Sequence, residues 1–180
     1  MDRRELIKTI AVLTGAAFVG GELFLSGCKG KKDLLFSNND IAFLDEVAET
    51  IIPRTNTPGA KDAEVGKFMA LYAADCYDNT QQQLLKQGII QLNTASKEKF
   101  KQPFIQLSTE QKQSLLSGID GAAKRQHNTD DTPHYFTLMK QLTLLGFFTS
   151  KAGATQVLRY LPVPEKYEGC IAYSGETAWS

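Results

Sequence analysis

The chain has 180 residues, 42% of them hydrophobic and 22% charged, a balance that excludes a disordered or highly charged polypeptide. Lys plus Arg and Asp plus Glu each number 20, so the formal net charge is zero and no global field draws the chain to nucleic acid. The length after the N-terminal segment suffices for one domain with a real hydrophobic core.

The first element is a targeting segment. Arg3, Arg4 and Lys8 make a basic start, and the run from Thr9 to Gly21 is apolar but mild, ending at Glu22. A membrane-spanning helix needs about 20 consecutive apolar residues, and this run is too short and too weak. Asp2-Arg3-Arg4-Glu5-Leu6-Ile7-Lys8 resembles the twin-arginine export consensus, and Leu25-Ser26-Gly27-Cys28 resembles the lipobox of bacterial lipoproteins, whose cysteine is lipidated. The expected organisation is a signal peptide over 1–27, a linker over 28–37 after the lipidated Cys28, and a helical domain over 38–180. Lys29, Lys31 and Lys32 would add attraction for anionic headgroups to the lipid anchor.

The domain then reads as helices. Ser37 to Asp40 offers N-caps, and Ile41, Leu44, Val47, Ala48, Ile51 and Ile52 share one helical face that Pro53 ends. Asp45, Glu46 and Glu49 lie opposite that face and read as a solvated surface rather than an acid/base pair. Arg54 to Gly59 is a turn-rich loop. Val65, Phe68, Met69, Tyr72 and Cys76 mark a second helix, and a third starts at Asn79 and runs towards Phe100, with Pro103 beyond it. Ser108-Thr109-Glu110-Gln111 is a capping box for a fourth, with Leu115, Leu116 and Ile119 inward. Residues 125–132 form a polar loop. Thr132 as cap and Pro133 in the first turn predict a fifth helix carrying Phe136, Met139, Leu142, Thr143 and Phe147. A short last helix is expected from Thr149 to about Tyr160, and the proline-containing tail from Leu161 should be extended and irregular. No alternation of period two occurs, so the fold class is all-α, an orthogonal bundle of five or six helices with an irregular C-terminal tail.

The search for chemistry is mostly empty. There is no dinucleotide fingerprint, P-loop or C-x-x-C-H haem motif. His127 and His134 with Asp130 and Asp131 span a polar loop and read as solvated side chains, and Met69 and Met139 sit at core spacing. No nucleophile, base and orienter assemble. No residue is therefore given a catalytic, cofactor-binding or metal-binding role. Beside Cys28, two cysteines remain, Cys76 and Cys170; a disulfide between them and a pair of buried free thiols both fit an exported chain. The tail concentrates Arg159, Tyr160, Tyr167, Tyr173 and Trp179, residue types enriched at binding hot spots. It reads either as a docking arm for a partner or as an arm wrapped back on its own bundle.

Several stretches carry a resemblance. Ile52 to Ala60 (IPRTNTPGA), Ala74 to Tyr77 (ADCY), Leu142 to Ser150 (LTLLGFFTS), Leu158-Arg159-Tyr160 and Tyr167 to Cys170 (YEGC) are similar to the gluconate 2-dehydrogenase subunit 3 family. The similarity runs from about Phe43 to the C-terminus. It implies the small, gamma-type, non-catalytic subunit of a membrane-associated dehydrogenase, the substrate being a sugar, polyol or sugar acid. The implied partner is a flavoprotein of the glucose–methanol–choline type that binds FAD, with a cytochrome c carrying haem c as a third subunit. The small subunit would escort the flavoprotein through the export route to the periplasm, stabilise it and tether it to a membrane. The lipobox departs from the family's better-known small subunits, which have plain signals. The alternative expectation is a stand-alone periplasmic lipoprotein that binds a ligand or scaffolds the envelope.

Overall fold

Helix starts and stops in the computed structural model follow local chemistry closely. The structure describes residues 5, 35–127, 133–163, 170 and 172–179. Its contacts divide the chain into two units, Met1–Leu35 and Phe36–Ser180, and the second is the subject here. Arg3, Arg4, Lys8, Cys28, Asp130, Asp131 and Tyr167 lie outside the described residues.

Helix α1 (Asn38–Ile51) begins at a reciprocal capping box, in which Ser37 Oγ accepts from the Asp40 N–H and Asp40 accepts from the Ser37 N–H. A short 3₁₀ turn (Lys61–Ala63) leads into α2 (Val65–Cys76), whose cap, Glu64, holds the left-handed conformation at φ 50°. Asp78 and Gln81 form a second capping box for α3 (Asn79–Phe100). Gln82 reaches back from α3 and donates to the carbonyls of Ala73 and Tyr77, so one amide closes the end of α2 and sets the corner. After α3, the buried Ser96 donates to the Gln102 carbonyl, and Asn93 accepts from the Phe104 N–H. Those two bonds seat the turn Phe104–Gln106 and drive Phe104 into the core against Phe43, ring centroids 5.3 Å apart. Helix α4 (Thr109–His127) opens at the expected capping box of Ser108 and Gln111.

Helix α5 (Tyr135–Phe148) packs against all four other helices and is the centre of the bundle. Two glycines permit the close crossings. A Cβ on Gly146 would stand 2.5 Å from the Phe68 ring of α2, and one on Gly88 of α3 would stand 2.7 Å from the Tyr135 ring. Leu44, Val47, Val65, Met69, Leu85, Leu92, Phe104, Met139, Leu142 and Phe147 are at most 1% exposed and make one continuous core. Full burial of such a side chain contributes about 1.5–3 kcal/mol, so the core dominates what holds the helices together. Among the described residues there is no β-strand, and the all-α bundle agrees with the sequence reading. No described helix is long and apolar enough to cross a membrane.

Two boundaries differ from expectation. Pro133 stays outside α5, because His134 supplies the cap: its Nδ1 accepts from the Phe136 N–H at 3.1 Å. The last helix is shorter and wider than expected. It closes as a π-type turn over Gly153–Val157, and Leu158 is already extended. Ser150 starts it, accepting from the Gly153 N–H while donating to the Phe147 carbonyl.

Candidate functional site: a stapled loop, a lysine-rimmed groove and a C-terminal clasp

The carboxylates of α1 require a correction. Asp45, Glu46 and Glu49 are all half-buried, and each is committed to a partner far along the chain. Glu49 accepts from the backbone N–H of Arg54 through Oε1 and from that of Lys61 through Oε2, both at 2.9 Å. One side chain thus pins both ends of the loop between α1 and α2. The loop comes so close that a Cβ on Gly59 would lie 2.5 Å from the Glu49 carboxylate, which explains why glycine stands there. Asp45 Oδ1 accepts from the Gly66 N–H at 2.7 Å, and here too a Cβ would collide, 2.6 Å from that oxygen. Glu46 bridges two lysines, Lys61 at 2.5 Å and the nearly buried Lys112 of α4 at 2.9 Å.

These settings move the acids apart. Burial raises Asp45 above the usual carboxylate range and outweighs the Gly66 N–H. Glu46 also suffers burial, but hydrogen bonds from Lys61 and Lys112 pull it below the usual range. Both oxygens of Glu46 and Glu49 and one of Asp45 are engaged by the loop backbone or by lysines. The sequence reading missed this role since most of the partners lie 12 to 66 positions away. The local signal that could have shown it is Glu49, five residues before Arg54 across a Pro/Thr/Gly loop.

Two turns further along α4, Asp120 joins α4 to α5. It pairs with Lys124 at 2.7 Å and Lys140 at 2.8 Å, and the two ammonium groups hold it below its usual range. One carboxylate against two lysines leaves a net positive charge. Beside this cluster runs a groove of about 520 Å³, floored by Ala123 and Leu144 and rimmed by Lys124, Lys140 and Gln141. A smaller hollow of about 190 Å³ lies between α1, α4 and α5, lined in part by Ile51, Leu116 and Phe136.

The remaining sequence candidates are placed as follows. Among the described residues no group of three or more His, Cys, Asp or Glu could hold a metal. His134 is a helix cap, and burial lowers its pKa. Met69 and Met139 are fully buried core residues, joined by Thr143, whose Oγ1 donates to the Met139 carbonyl at 2.8 Å and lies 3.8 Å from the Met69 sulfur. Cys76 and Cys170 are free thiols and both are exposed, so the bridge between them is not formed, and neither are they buried.

The tail returns to its own start, just beyond the last helical turn. The Arg159 N–H donates to the Ala178 carbonyl at 2.7 Å in an isolated parallel bridge to Trp179. The Arg159 guanidinium lies 3.4 Å from the centre of the Trp179 ring, a cation–π contact. Ser174 steadies this return by donating from its N–H and its hydroxyl to Glu176. Of the five candidate docking residues, Arg159 and Trp179 therefore meet each other, while Tyr160 and Tyr173 are exposed. The tail thus folds back on Arg159 and presents the Tyr160 and Tyr173 rings to solvent.

No curated protein and no solved structure matches the chain. The family model described as gluconate 2-dehydrogenase subunit 3 matches residues 38–164, from the first residue of α1 into the tail and well over half of the chain. The chain belongs to the gluconate 2-dehydrogenase subunit 3 family.

Proposed function

We propose that this protein is the non-catalytic small subunit of a periplasmic, FAD-dependent dehydrogenase complex acting on a sugar, polyol or sugar acid. Its roles are those of export escort, stabiliser and membrane tether for a flavoprotein of the glucose–methanol–choline type. The observation that carries the reading is the family match across the whole helical bundle. Family membership supports a complex with a larger dehydrogenase subunit.

The local geometry supports an accessory role. The polar side chains that a sequence search singles out are occupied in structural work: the α1 carboxylates hold a loop, His134 caps a helix, and the methionines fill the core. FAD belongs to the larger subunit and haem c to a cytochrome c partner. The twin-arginine route carries folded proteins, so a flavoprotein already loaded with FAD can leave the cytoplasm bound to a small subunit that bears the signal.

Co-expression with a flavoprotein of the glucose–methanol–choline type from the same organism tests the reading. The two are expected to co-purify, with the flavin absorbance in the complex and none in the small subunit alone. A small subunit that is purified free of the flavoprotein under all salt conditions, or that carries a flavin or haem band by itself, would overturn it.

A further inference from the structure

Among the described residues, the outward side of α5 is left open to solvent. Gln141, Leu144, Leu145 and Phe148 recur at spacings of three and four and are all exposed, Leu144 and Leu145 at 40% and 41%. Lys140 is the single charged residue of this 14-residue helix. A helix that is apolar on every side belongs inside a larger body, and α5, already the centre of the bundle, still shows this stripe to solvent. The groove beside Asp120 is continuous with it, since Gln141 and Leu144 belong to both.

Charge selects the occupant. From Pro133 to Val163 the chain carries Lys140, Lys151 and Arg159 and no Asp or Glu. Lys124 on α4 adds a further cation at the groove rim, and Asp120, which pairs with both Lys124 and Lys140, neutralises one of their two charges. A second copy docked face to face would set lysine against lysine, which like-charge repulsion disfavours. The complementary surface is an apolar ridge edged with carboxylates on a different protein.

We propose that the stripe of Leu144, Leu145 and Phe148, with the lysine-rimmed groove beside it, is the seat of the larger dehydrogenase subunit, which presents an apolar ridge bordered by Asp and Glu. This rests on the accessory-subunit reading above. An apolar side chain of the ridge enters the groove over Ala123 and Leu144, and the flanking carboxylates face Lys124 and Lys151. The apolar centre supplies the holding energy, and the lysines supply register and the salt dependence of association.

The test uses the full chain co-expressed with the larger subunit. Leu145→Glu places a carboxylate in the stripe at a position the core does not need, and recovery of the complex should fall at least tenfold. Lys151→Glu changes only an exposed side chain, and Lys124→Glu also gives up the ion pair with Asp120; each should weaken association several-fold and flatten its dependence on salt. Ile90→Glu on α3, 66% exposed, is the control and should leave recovery unchanged. Helicity and thermal unfolding of the isolated subunit establish that each variant is folded, and the lysine variants decide the matter if Leu145→Glu is not. A wild-type pair that co-purifies together with folded stripe and lysine variants that co-purify equally well would overturn the proposed face and leave the accessory role standing. A wild-type pair that never associates removes both. Loss of self-association or of binding to anionic vesicles in Leu145→Glu, with the dehydrogenase still bound, would also overturn the proposal.

Discussion

At the scale of single residues, Glu49 is the side chain on which most depends locally. It satisfies two backbone N–H groups of the loop between α1 and α2, and a hydrogen bond contributes about 0.5–1.5 kcal/mol net. Glu49→Ala should therefore destabilise the fold by about 1–3 kcal/mol in urea unfolding. Glu49→Gln, which keeps one acceptor oxygen, should cost clearly less. His134 makes a pH prediction. Burial lowers its pKa in the folded chain, while the unfolded chain has an ordinary imidazole near about 6.5. The unfolded state therefore binds the proton more readily, so the contribution of His134 is fully present above that value and is lost as pH falls below it. Protonation also removes the Nδ1 lone pair that accepts from Phe136. His134→Asn keeps a capping acceptor and should flatten the fall in melting temperature between neutral and mildly acidic pH.

At the scale of elements, the ends of the helices were more legible than their neighbours. The Ser37 and Ser108 caps are local patterns and stand where the sequence places them. The α5 start is displaced because a histidine nitrogen took the capping bond, a use of His that cap statistics do not favour. Two element junctions hold non-glycine residues in the left-handed region, Glu64 before α2 and Lys101 after α3 at φ 60°. That conformation costs an L-residue about 1–2 kcal/mol, against about 0.5–1 kcal/mol of added chain entropy for glycine. Lys101→Gly should thus stabilise the protein by a few tenths to about 1 kcal/mol. A drop in the urea midpoint would show that the Lys101 side chain contributes more than its backbone strain removes. The final turn was misread for a different reason: Gly153 permits a wide π-type closure against the end of α5, which helical spacing alone does not distinguish from an ordinary turn.

At the scale of the whole molecule, the accessory role makes a prediction about transport. On that proposal, replacement of Arg3 and Arg4 by lysine is expected to retain both this chain and the proposed flavoprotein partner in the cytoplasm, as read by cell fractionation. A partner that still reaches the periplasm would sink the escort role. The sequence by itself determined the all-α class, most helix positions, the core spacing of Met69 and Met139, and the family resemblance, because periodicity, caps and prolines act within a few residues. Only the tertiary structure decided that Asp45, Glu46 and Glu49 are staples rather than a solvated face, since their partners come from distant segments. It alone placed Trp179 on Arg159 and left Cys76 and Cys170 apart as free thiols. The same holds for α5: its composition marks it as buried, but which side remains uncovered depends on how the other four helices pack around it.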